Sequence, residues 1–147
     1  MDVDRSMKEK LVAAAKAASR SAYCDYSDFP VGAAVLGKQG EIFAGCNVEN
    51  ASYGLTICAE RNAVFQMVAQ GRREILAVVI YTPTPTPSAP CGACRQVINE
   101  YGPEALIISV CEGPEEIRKR LHELMPHAFG PKNVKGKSKK NTDCTDK

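Results

Sequence analysis

The chain has 147 residues, 44% of them apolar and 24% charged, which fits one globular domain and excludes disorder of the whole chain. Its net charge of +2 is uneven: residues 132–147 hold six Lys against Asp143 and Asp146, a net of +4, which leaves −2 for residues 1–131. No apolar run reaches the roughly 18 residues a membrane-spanning helix needs.

Residues 5–20 read as a helix, with Met7, Leu11, Ala14, Ala15 and Ala18 recurring at helical spacing in an Ala-, Lys- and Glu-rich segment. Tyr23, Tyr26 and Phe29 lie among polar residues and read as a loop. Val31 to Leu36 is a small-residue apolar strand, Lys38-Gln39-Gly40 a turn, and Glu41 to Asn47 a second strand, so the three form a hairpin. Cys58 to Gln70 is a helix stopped by Gly71. Ile75 to Thr82 is a continuous apolar run, the mark of a strand covered on both faces. The Thr-Pro repeat of residues 82–87 excludes regular structure. Pro90 suits a helix start, and that helix runs to Tyr101 before Gly102. Leu106 to Val110 is a further buried strand. Residues 115–124 stay open between a helix on Ile117, Leu121 and Leu124 and a short edge strand over 116–120. Alternating helices and buried strands imply an α/β fold. Residues 1–131 are expected to form the domain, and 132–147 an unstructured basic tail.

Seven Cys is an odd number, and Asp2 and Asp4 stand where a secretory signal would be basic. The expectation is a reducing, cytoplasmic setting in which closely spaced Cys read as metal or catalytic groups. Cys58, Cys91 and Cys94 have zinc-ligand spacing, with Glu60 two residues beyond the first thiol. Cys91 and Cys94, at i and i+3 at a helix start, share one face. A structural zinc site takes four protein ligands, whereas a catalytic one keeps a position for water. Cys24, Cys46, Cys111 or a His would have to close the structural alternative. The Cys-Ala-Glu element and Pro90 favour the catalytic reading, with Glu60 as the unligated carboxylate that moves the water's proton. Three thiolates around Zn²⁺ sum to −1. Two convergent helix N-termini, each worth roughly +0.5 charge, and Arg61 beside the carboxylate would offset that excess.

Four blocks in order resemble the cytidine deaminase family of small homotetrameric nucleoside enzymes. They are Phe29-Pro30-Val31-Gly32-Ala33-Ala34, Gly45-Cys46-Asn47-Val48-Glu49-Asn50-Ala51, Ile57-Cys58-Ala59-Glu60-Arg61 and Pro90-Cys91-Gly92-Ala93-Cys94-Arg95-Gln96-Val97. The resemblance runs from about Ser21 to Pro131. It implies a three-layer α-β-α fold around a mixed sheet of about five strands. It also implies hydrolytic conversion of cytidine and deoxycytidine to uridine and deoxyuridine. The metal would be one zinc per subunit on Cys58, Cys91 and Cys94, with Glu60 as proton shuttle.

On the same basis Asn47 and Glu49 would bind the sugar, Phe29 would flank the substrate, and Ala59 would give its backbone N–H to the base carbonyl. Phe129 would reach a neighbouring subunit's pocket. The carboxylate of Glu49 would repel a nearby phosphate and favour nucleosides over nucleotides. Asp25, Gly54-Leu55-Thr56, the Thr-Pro repeat and the charged segment after Val110 depart from the family pattern. These departures keep a second substrate open: another aminopyrimidine nucleoside, such as a nucleoside antibiotic or an N4-modified cytidine. The Lys-rich tail carries no aromatic residue, and stacking usually accompanies single-strand binding, so nucleic acid is not an expected partner.

Overall fold

The computed structural model describes residues 3–135. The elements run in chain order as α1 (Arg5–Ser19), β1 (Gly32–Gly37), β2 (Ile42–Cys46), a 3-10 turn (Tyr53–Leu55), α2 (Ala59–Ala69), β3 (Ile75–Tyr81), α3 (Gly92–Tyr101), β4 (Leu106–Val110), β5 (Ile117–Arg120), α4 (Leu121–Leu124) and α5 (Pro131–Lys135). One sheet has the order β2-β1-β3-β4-β5. Its β3–β4 pair is parallel, and the other pairs are antiparallel.

Alternation along the strands builds two apolar layers. Ala33, Val35, Val78, Ile80 and Ile107 face α2 and α3, packing with Ala63, Val64, Met67 and Ile98. Ala34, Leu36, Ala77, Val79, Leu106 and Ile108 face the other way, against Leu11 and Ala15 of α1. The expected α-β-α layering is therefore present. Covering on both faces is why β1 and β3 read as unbroken apolar runs. Small residues in β1 let the helices approach closely: a Cβ at Gly32 would lie 1.8 Å from the Ala15 carbonyl oxygen. Asp4 caps α1 by accepting from the Met7 N–H at 2.7 Å. The hairpin turn uses Gly40 at φ +89°, a left-handed conformation that suits glycine.

Residues 115–124 satisfy both readings in succession. β5 adds Ile117–Arg120 to the free edge of β4, and α4 then buries Leu121 against the core. The strand carries three basic residues because it is an edge with a solvated face. The Thr-Pro segment is not free-hanging. Thr82 N–H donates to Val110, Glu112 N–H donates to Thr84, and the Thr82 and Thr84 hydroxyls meet at 2.7 Å. The short helix α5 begins at Pro131, so the 131/132 boundary of the expected basic tail falls inside helical structure. Residues 136–147 of that tail lie outside the described residues. No described helix is long and apolar enough to cross a membrane.

Strand register sets where the site forms. Gly32 pairs with both Cys46 and Tyr81, and Tyr81 pairs with Val110. One row across the sheet thus holds the start of β1 and the ends of β2, β3 and β4. The segments with Phe29, with Asn47 and Glu49, with Cys58, and with Pro90 to Cys94 all join the sheet along this edge.

Candidate active site

Cys58 is the N-cap of α2 and Cys91 the N-cap of α3; Cys94 sits in the first turn of α3. Neither cap side chain accepts a backbone N–H of its own helix, so both sulfurs are free to meet other side chains. Cys58 Sγ lies 3.8 Å from Cys91 Sγ, and Cys91 Sγ lies 3.4 Å from Cys94 Sγ. All three sulfurs fall within 4.8 Å of one another. Tetrahedral zinc with Zn–S bonds of about 2.3 Å requires sulfurs about 3.8 Å apart, so the triad fits such an ion. Cys94 is fully buried, Cys58 half-buried and Cys91 exposed, and the cluster therefore opens to solvent on the Cys91 side.

Among the described residues no fourth His, Cys, Asp or Glu joins the group. Cys24, Cys46, Cys111, His122 and His127 are absent from it, so none of them supplies the fourth ligand of a closed structural site. Cys144 lies outside the described residues. Cys111 is a buried thiol facing the carbonyls of Pro85, Gly113 and Glu115. His122 pairs with Glu104 at 3.0 Å.

The electrostatics suit anionic sulfur. The Cys58 thiol is pushed down to about 5, first by the Cys94 thiol and then by Arg61, with its burial opposing. Hydrogen bonding to Cys58 and burial hold the Cys94 thiol high. Arg61 Nη2 donates to Cys58 Sγ at 3.3 Å, and the thiolate holds the guanidinium above its ordinary range. Both helix N-termini add positive potential.

Glu60 lies in the first turn of α2 and is 5% exposed. Burial raises its carboxyl above the usual carboxylate range, against the opposing hydrogen bond of Cys94. A carboxyl shifted toward neutrality can both accept and donate a proton. Ala59, at the first helical position, keeps its N–H outside the helix ladder.

Asn47 and Glu49 do more than their positions in the sequence reveal. Asn47 is buried and spans two backbone groups: Oδ1 accepts from Val31 N–H and Nδ2 donates to the Phe29 carbonyl, both at 2.8 Å. Glu49 Oε1 accepts from Tyr26 and Ser27 N–H, each at 3.0 Å, and the Ser27 contact holds its carboxyl below the usual range. The two residues bracket Val48, which bridges Tyr23 on one side and Ile57 on the other. They therefore shape the loop that carries Phe29, whose ring is 40% exposed. The sequence offered no signal for this clasp, because both partners are backbone groups about 20 residues away.

Phe129 is 62% exposed, yet its carbonyl is held by Gln96 Nε2 at 2.8 Å and Asn99 Nδ2 at 3.2 Å. Its backbone is fixed while its ring projects. Tyr53, on the 3-10 turn that the sequence pattern did not indicate, meets Tyr26 edge-on at 5.6 Å.

A three-layer α-β-α domain with three sulfurs at two helix N-termini, and a buried carboxyl beside them, defines the zinc-binding nucleobase deaminase class. Residues 5–110 match the family model described as the cytidine and deoxycytidylate deaminase zinc-binding region, and the chain belongs to that family. It is 43% identical to the cytidine deaminase of Sporosarcina psychrophila, over 86% of this chain and 93% of that one. It is 44% identical to the cytidine deaminase of Halalkalibacterium halodurans, over 86% and 95%. Among solved structures it resembles cytidine deaminase from Burkholderia pseudomallei, with TM-score 0.79, 45% identity and coverage of 82% of this chain and 98% of that one. The cytidine deaminase structure from Mycobacterium tuberculosis gives TM-score 0.74 at 40% identity, covering 88% and 99%.

Proposed function

We propose that the chain catalyses hydrolytic deamination of cytidine and deoxycytidine to uridine and deoxyuridine, releasing ammonia. One observation carries the reading: a buried, unligated carboxyl, Glu60, stands beside a three-thiol cluster that no fourth described protein donor closes. Relatives above 40% identity along nearly their whole length support it.

Cys58, Cys91 and Cys94 would hold the zinc, which when bound supplies a Lewis acid that makes water acidic near neutral pH. Arg61 and the two helix N-termini offset the excess thiolate charge. Glu60 takes one proton from the attacking water and gives it to the ring nitrogen; it then moves the second proton, from the hydroxyl added at the amino-bearing carbon, to the departing amine, so that breaking the C–N bond leaves a carbonyl and ammonia. Ala59 N–H orients the base carbonyl and Phe29 flanks the ring. Asn47 keeps one amide hydrogen and Glu49 keeps acceptor capacity after their loop contacts, and these face the sugar. The anionic Glu49 disfavours phosphate, so nucleosides rather than nucleotides are the substrates.

The projecting Phe129 ring completes a neighbouring subunit's pocket in a homotetramer, in a cytoplasmic setting. Phe129→Ala is expected to raise KM about 3- to 10-fold, the worth of an aromatic contact, with a smaller change in kcat. Steady-state kinetics check this. Arg61→Ala is expected to lower kcat/KM about tenfold or more, the cost of a charge-assisted hydrogen bond. An Arg61→Ala enzyme of full activity would remove that role.

The deciding experiment is an ultraviolet assay of cytidine, deoxycytidine, cytosine, CMP and N4-methylcytidine with zinc quantified. Turnover confined to nucleosides is expected. A zinc-loaded protein that deaminates none of them overturns the proposal.

A further inference from the structure

The two N-terminal ligand positions of α3 and the arm that ends in Phe129 are far apart in sequence, yet one side chain touches the backbone of both segments. Arg95 Nε donates to the Pro90 carbonyl at 2.8 Å, and Arg95 Nη1 donates to the Leu124 carbonyl at 2.7 Å. Each acceptor needs a partner. Pro90 is fully buried, and its carbonyl lies outside the α3 ladder, which begins when Cys91 accepts from Arg95 N–H. A buried carbonyl without a partner is costly. Leu124 is the last residue of α4, where carbonyls have no intrahelical donor. The chain then leaves the helix through Met125 at φ −145° and continues to Phe129.

Three α3 side chains therefore grip residues 124–129. Arg95 holds the start of the arm, and Gln96 and Asn99 hold its end at the Phe129 carbonyl. Of these three, Arg95 alone also holds the peptide that precedes ligand Cys91. A planar fork of fixed geometry suits two carbonyls at once, which a single ammonium group does not. None of the ion pairs among the described residues involves Arg95, so its donors serve the backbone.

We propose that Arg95 is a positioning residue that ties the Pro90–Cys94 ligand turn to the Leu124–Phe129 arm, so that order in one segment supports order in the other. The inference rests on the reading of the thiol triad as a metal centre and of Phe129 as a pocket residue.

The test compares the zinc-loaded full chain with Arg95→Gln, Arg95→Lys and Gln96→Ala. Three readouts are taken: amide exchange of peptides covering 88–94 and 125–130, zinc release to a chelating dye, and the split between kcat and KM. Arg95→Gln is expected to speed exchange in both peptides and zinc release, each about tenfold, as fits the loss of a charge-assisted hydrogen bond. Gln96→Ala is expected to speed exchange in 125–130 alone. Arg95→Lys, with one compact donor group, is expected to rescue one segment and not both.

If Arg95→Gln loosens only one peptide, or neither, the tie does not exist. Full rescue of both by Lys would also overturn it, since charge rather than the fork would then suffice. A parent protein that takes up no zinc would refute the metal reading separately, while exchange at the two peptides would still decide the role of Arg95.

Discussion

Glu60→Gln is expected to cut kcat by about a thousandfold to ten-thousandfold while zinc stays bound. Gln matches Glu in size and still fills the buried place in the first turn of α2. It cannot take a proton from water or pass one to the base, and a positioned acid–base group contributes typically 10²- to 10⁴-fold. The upper part of that range applies because one carboxyl serves two transfers. Glu60 stands outside the group the three sulfurs form and meets it through Cys94, a contact that the Gln side chain can also make. Metal content should therefore equal that of the parent by elemental analysis, and a kcat within tenfold of the parent would refute the proton-shuttle role. The contrast between lost turnover and retained zinc separates a chemical defect from a folding defect.

Gly45→Ala is expected to destabilise the fold and to displace the helix that carries Cys58, Glu60 and Arg61. Gly45 pairs with Ala33, one pair from the end of the β1–β2 ladder, and α2 crosses directly over it. A Cβ there would lie 2.5 Å from the Ala63 backbone nitrogen and 2.8 Å from the Ala59 carbonyl oxygen. Both neighbours are backbone, so relief requires moving the first turns of α2 off the sheet. Overpacking of this kind costs about 3 kcal/mol or more. Cys58, Glu60 and Arg61 travel with those turns. A displacement of about 1 Å at reacting groups is worth roughly a hundredfold in rate. Thermal unfolding and zinc content of the soluble fraction measure both losses. Gly54→Ala serves as the comparison: nothing lies within 4 Å of its Cβ position, and its unfolding midpoint should match the parent's. A Gly45→Ala protein with parental stability and activity would show that α2 is not seated as described.

Much of this molecule was legible before any coordinates. The unbroken apolar run of β3 foretold cover on both faces, and the spacing of Cys91 and Cys94 foretold two neighbouring sulfurs at one helix start. These features are local: strand burial and ligand spacing at helix starts are written within a few residues of one another. Residues 115–124 left strand and helix both open, since a charged four-residue edge strand exists only because β4 offers it a partner. The 3-10 turn at Tyr53–Leu55 was missed for a similar reason, having no periodic pattern of its own.

The sequence by itself determined the layered α/β architecture and the placing of Cys58, Glu60, Cys91 and Cys94 at helix starts, because residue type and short-range spacing are sufficient for each. Only the tertiary structure decided that two helix N-termini converge, that no described fourth donor closes the triad, and that Asn47, Glu49 and Arg95 clasp distant backbone. Those outcomes depend on contacts between segments up to about 30 residues apart in the chain. Side-chain-to-backbone bonds of this kind leave no mark in sequence, since every residue offers the same carbonyl and amide and only the fold selects which of them is left in need of a partner.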